Sequence, residues 1–131
     1  MQVKNVQEAL AFCGYPENSN QIDTSKYPEK HREAIQAVAD LFIIHEAYND
    51  REDANYNDWD QDKHFIIWDL EVDKNNPSGF RFFDSYCEVT YSLTICGPRL
   101  CFLKQEDIAH AVENHIELYR KVNKMMTELK G

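Results

Sequence analysis

Asp58, Asp60 and Asp62 form a D-x-D-x-D run, and Asp69 falls at position 12 counted from Asp58. Calcium loops take oxygens from positions 1, 3, 5 and 12 and need glycine at 6 to turn the chain. Position 6 here is Lys63, which puts a cation beside the ion, and the residues from His64 onward would have to bend out of a strand. The expectation is a solvated acidic loop and no metal site. Glu106 and His110, spaced i, i+4 with Glu113 three residues on, have a spacing that can chelate zinc on a helix face. His115 lies about 140° further round and cannot join, and no H-E-x-x-H is present. A polar helix surface accounts for the trio. In Cys96-Gly-Pro-Arg-Leu-Cys101, a nucleophilic cysteine would need a nearby base and an oxyanion donor. Gly97 could free backbone N–H groups, and His45 or His64 could act as the base. A tight turn with Cys101 as a small core residue explains the same segment.

Arg81 follows the Ser78-Gly79 turn and Arg99 follows Gly97-Pro98. Two guanidiniums at strand starts could hold an anion or a partner carboxylate. They could equally pair with Asp69, Glu71 or Asp84 on adjacent strands. Tyr56, Trp59, Phe65, Trp68, Phe80, Phe82, Phe83 and Tyr86 crowd into one stretch, too many for one covered sheet face. The surplus marks either a contact surface or a second small core formed by loop 49–63 folding over the sheet. The residues assigned to partner binding are Tyr56, Asp58, Trp59, Asp60, Arg81 and Arg99. No catalytic residue, metal ligand or cofactor is assigned.

The elements that must position these residues read in order. Asn5 and Glu8 make an N-cap with an acid at N3, and Val6, Leu10 and Cys13 follow at helical spacing until Gly14 and Pro16 stop the helix. Residues 15–27 are polar and turn-rich. Pro28 opens a helix over 28–48, with Ile35, Val38, Leu41, Phe42, His45 and Tyr48 as its apolar stripe. Residues 49–63 have no apolar period. From His64 the period becomes two, giving strands at 64–72, 80–83, 86–95 and 99–103, with turn clusters at 73–79 and 96–98. A last helix over 105–129 carries Ile108, Val112, His115, Tyr119, Val122, Met126 and Leu129. The fold class is therefore α+β: a four-stranded antiparallel meander with two long helices and one short N-terminal helix packed on one face.

Composition bounds the partners. The 131 residues fit one domain with a real core, and 43% hydrophobic with 28% charged residues excludes a disordered chain. Fourteen Lys and Arg against 23 Asp and Glu leave a net charge of −9. Residues 49–62 alone hold six acids and one base. No basic stripe occurs, so direct nucleic-acid binding is disfavoured. No apolar run approaches a membrane span, and the N-terminal MQVKNVQEALAF has no apolar core of a secretory signal. The four cysteines, Cys13, Cys87, Cys96 and Cys101, form no C-x-x-C and match no zinc-ribbon spacing. Reduced thiols in the cytoplasm are expected.

Gly79-Phe80-Arg81, then Gly97 with Arg99-Leu100-Cys101-Phe102, then a helix reaching Leu118-Tyr119-Arg120, carry a resemblance. Over roughly residues 59–120 the chain resembles small uncharacterised phage and prophage proteins of gut Bacteroidetes, whose C-terminal halves hold a GFR strand, a GSRLCF strand and a helix ending near LYKD. Pro98 departs from the usual Ser, and Arg120 stands where the Lys would be, without the following Asp. The resemblance transfers no catalytic residue. It implies an accessory or structural protein of a mobile element, working inside a bacterial cell. The expected function is non-enzymatic and acts through contact with a protein partner, with a homodimer left open. Two alternatives come from other classes. One is a small cysteine-dependent enzyme using Cys96, Arg99 and a histidine. The other is an acidic mimic that occupies a nucleic-acid-binding host protein.

Overall fold

The structure is a computed structural model that describes residues 1–88 and 98–123. It is α+β, with three helices and a two-stranded antiparallel sheet among the described residues. The elements are α1 (Val6–Cys13), α2 (Glu29–Tyr48), β1 (Lys63–Asp69), β2 (Arg81–Glu88), a 3-10 turn at Pro98–Leu100, and α3 (Glu106–Asn123).

Local sequence accounts for the helix boundaries. Asn5 Oδ1 accepts the Glu8 N–H at 2.9 Å, and Gly14 closes α1 in the left-handed region at φ 79°. The Glu8 carboxylate accepts from Lys4 N rather than from the cap residue itself. Pro28 supplies the extended residue before α2. Glu106 and Asp107 fill the first turn of α3, and Arg120 and Lys121 its last described turn, as the helix dipole favours. The expected continuation of this helix to 129 lies outside the described residues.

The core forms where the helices meet one sheet face. Leu41, Ile44, Ala47 and Tyr48 of α2 pack with Ile108, Ala111 and Tyr119 of α3 and with Ile66, Phe80 and Phe102. Each large apolar side chain removed from water there contributes about 1.5–3 kcal/mol. The histidines and Tyr48 inside the core are partnered, whereas Asp107 in the first turn of α3 keeps its Oδ2 buried without a hydrogen-bond partner among the described residues. His45 Nδ1 meets the Cys101 carbonyl at 3.0 Å and its Nε2 meets Tyr119 Oη at 2.7 Å. The Val3 carbonyl accepts from Tyr48 Oη and His115 Nε2, and Tyr48 Oη also meets His110 Nδ1. His115 sits at a break in α3, with φ −128° and ψ 15°, which frees its ring to reach the N-terminal segment.

The strands depart from the expected meander in two places. Strands expected separately at 80–83 and from 86 are one strand, β2, running unbroken through Asp84 and Ser85. Pairing is Ile67 with Asp84 but Trp68 with Phe82, so Phe83 is a bulged residue with no opposite number. The bulge takes up one extra residue in β2 and lets the strand continue past Phe83. The rest of the expected 86–95 strand, residues 89–95, lies outside the described residues.

The fourth strand expected at 99–103 is instead the 3-10 turn followed by a single bridge from Phe102 to His64. That bridge lies against β1, not beside the 86–95 segment as a meander requires. The reason is side-chain capture of the backbone. Asn49 Nδ2 donates to the Cys101 carbonyl and Asn49 Oδ1 accepts from Leu103 N, at 3.0 and 2.8 Å. These groups are satisfied by the end of α2 and are lost to a sheet ladder.

Candidate functional site

Loop 49–62 connects α2 to β1 and is folded by its own polar groups. The Lys63 side chain is 1% exposed, and its ammonium donates to the carbonyls of Asp58 and Gln61 at 2.9 and 2.8 Å. It also lies 5.2 Å from the centre of the Tyr56 ring, a cation–π arrangement. Asp58 Oδ1 accepts from Asp60 N, and Gln61 Oε1 accepts from Asn55 N. The loop thus wraps a lysine, against the sheet face opposite the helices, where Phe65 is also fully buried.

The four acids weighed as a calcium loop do not assemble. The Lys63 ammonium fills the loop interior, and Asp69 is held at the far end of β1 by Arg81. Of the two aromatics in the loop, Tyr56 is half-buried, whereas Trp59 is 68% exposed. Asp58 and Asp60 flank it and are exposed. The two readings of this loop, cap or contact surface, therefore divide by residue: Tyr56 and Lys63 cap the sheet, and Trp59 points to solvent.

The two arginines do not share a site. Arg81 Nε and Nη2 both lie 2.9 Å from Asp69 Oδ2, and Nη1 donates to the Asn75 carbonyl. This is the cross-strand pairing weighed against anion binding, and it fastens the open side of the 70–80 turn. The Arg99 guanidinium lies 5.8 Å from the Phe42 ring centre and borders a cleft of about 250 Å³ with Glu46, Asn49, Glu52 and Asp53. The cleft is carboxylate-rich with one guanidinium at its rim, a lining suited to a basic side chain.

The histidines and thiols weighed for catalysis are placed as follows. His45 is buried and held by Cys101 and Tyr119. Burial pushes its pKa down to about 4. Cys96 lies outside the described residues. Burial pushes the Cys101 thiol up to about 11, and burial with the Glu46 carboxylate pushes Cys13 up to about 12. Thiols of that kind are poor nucleophiles at neutral pH. Cys13, Cys87 and Cys101 are free thiols. His110 is engaged by Tyr48, and Glu106, His110 and Glu113 do not converge.

Two features escaped the sequence reading. One group of three ligating residues converges among the described residues: Asp62, His64 and Cys87, whose ligand atoms all lie within 4.8 Å of one another. The signal was present as an Asp-x-His at period two, but Cys87 stands opposite His64 only because of the bulge at Phe83. The other is an apolar trough of about 560 Å³ on the outer side of α2, lined by Ile22, Tyr27, Ile35, Val38, Phe42 and Val122. Ile35, Val38 and Phe42 belong to the stripe whose spacing predicts core, and here they line an open trough instead.

No protein-family model, curated protein or solved structure matches the chain. Among the described residues no helix is long and apolar enough to cross a membrane.

Proposed function

We propose that the chain is a non-enzymatic phage or prophage accessory protein that works in the bacterial cytoplasm by contacting another protein. The contact surface is loop 49–62 with Trp59 as its anchor. One observation carries the reading: Trp59 stands 68% exposed on a loop whose shape is already fixed by Lys63, Tyr56 and its own turns. An aromatic that the fold does not need, presented on an ordered loop, has the features of an interface hot spot with little ordering cost on binding. Asp58 and Asp60 beside it, with the carboxylates around the Arg99 cleft, favour a partner with basic side chains. The Gly79–Arg81 and Arg99–Phe102 resemblance supports the mobile-element origin. The reading keeps a larger antiparallel sheet than the two described strands, supported by the Phe102 bridge on the free edge of β1.

The acidic-mimic alternative is weaker on the structure, because the loop's negative charge is partly spent. Asp50 is paired with Lys104 and the Met1 amino group at 2.7 and 2.6 Å, and Lys63 sits inside the loop.

Affinity capture from a lysate of the host bacterium tests the proposal. A protein retained by the wild type and lost with Trp59→Ala supports it. Retention of the same protein by both, or by neither, removes the loop from the interface.

A further inference from the structure

We infer that Asp62, His64 and Cys87 form a binding site for a zinc-class divalent cation at the open end of the β1–β2 hairpin. The inference is independent of the partner-contact reading.

The donor set is one that zinc takes: a carboxylate, an imidazole and a thiolate, with a fourth position left to water. Charge closes as well. One carboxylate and one thiolate neutralise the dication, and the imidazole stays neutral. On binding, the Cys87 S–H bond breaks, its electron pair forms the sulfur–metal bond, and the proton goes to solvent.

Backbone geometry brings the donors together. His64 N donates to Phe102 O and His64 O accepts from Phe102 N, both at 2.8 Å. In an antiparallel strand both groups of one residue point to the same neighbour. The His64–Cys87 pair on the other side is therefore of the non-hydrogen-bonded kind, in which opposite side chains stand closest. Phe102 also holds His64 in place from behind, so the imidazole sits on backbone fixed from both sides. Asp62 comes from the end of the loop that Lys63 organises, and the alternation along β1 puts the Lys63 side chain on the face opposite His64. Tetrahedral zinc sets its donor atoms about 3.5 Å apart. The separations of up to 4.8 Å close by side-chain rotation at Asp62 and Cys87, both exposed.

Cobalt(II) is the probe. Titrating the reduced full chain should give a near-ultraviolet sulfur-to-cobalt charge-transfer band with the visible bands of tetrahedral cobalt, and zinc should displace both. The bands should vanish in Cys87→Ser and persist in Cys13→Ser, Cys96→Ser and Cys101→Ser. Asp62→Asn, at an exposed carboxylate that the fold does not use, should lower cobalt affinity about tenfold or more; it keeps the test decisive if Cys87→Ser fails to fold. The absence of a charge-transfer band, its survival in Cys87→Ser, or unchanged affinity in Asp62→Asn would overturn the site.

Discussion

At the scale of single residues, Lys63 decides what the acidic loop is. The loop has the acid spacing of a calcium site, yet its interior is taken by an ammonium bonded to the Asp58 and Gln61 carbonyls. Millimolar calcium should therefore leave the melting temperature unchanged, whereas binding would raise it by mass action. A rise of several degrees with calcium but not with magnesium would show the ammonium being displaced. Lys63→Ala should cost about 2 kcal/mol in a denaturant melt, because two carbonyls lose a charged donor. Trp59→Ala should stay within about 0.5 kcal/mol of wild type, as exposed substitutions do. Had Trp59 capped the sheet, the same melt would show a loss of about 3–5 kcal/mol. The lysine at position 6 was legible as an objection to calcium. The division of labour between Tyr56 and Trp59 was not, since both are aromatics in one aperiodic loop and only the position of the Lys63 ammonium distinguishes them.

At the scale of elements, what could be read follows periodicity and what could not follows side chains that replace backbone partners. Asn5, Gly14 and Pro28 mark helix ends in the sequence and in the structure alike, because capping is local chemistry. Residues 99–103 have strand composition but no ladder, because Asn49, fifty residues earlier, takes the Cys101 carbonyl and the Leu103 N–H. No sequence period reports such a long-range contact. Asn49→Ala should destabilise by about 2 kcal/mol, since it orphans the part-buried Leu103 N–H and removes one of two donors to Cys101. His45 remains on that carbonyl, so the loss should be smaller in Asn49→Asp, which keeps the acceptor for Leu103. The bulge at Phe83 is the second hidden term. It shifts β2 by one residue beyond Trp68 and brings Cys87, rather than Tyr86, opposite His64. The three ligating residues were each visible in the sequence; their register was not.

At the scale of the whole molecule, the helix–sheet core is closed around an imidazole that must stay neutral. Asn49 and the His45 Nδ1–H both donate to the Cys101 carbonyl, which leaves His45 Nε2 to accept from the Tyr119 hydroxyl. Burial holds the folded pKa near 4, against an ordinary value of 6.5. Between those two values the unfolded chain binds a proton that the native chain does not. Stability is therefore complete above about pH 6.5 and falls as the pH drops toward 4, by up to about 3 kcal/mol for this one group. His115, also lowered by burial and bonded to Val3, acts in the same direction. Asp50 is held at about 2 by Lys104 and then by the Met1 amino group. Its contribution is lost only below the ordinary carboxylate range, so the two effects occupy different windows. Urea melts at pH 7, 5.5 and 4.5 should show a steady fall in midpoint. His45→Gln should be less stable at pH 7 but lose much of that slope, because an amide can occupy the site without a proton to gain. A wild-type midpoint that is flat from pH 7 to 4.5 would mean that protonated His45 is tolerated in the core, with Tyr119 turned to accept from it. The slope thus reports whether this part of the core has one hydrogen-bonded arrangement or two.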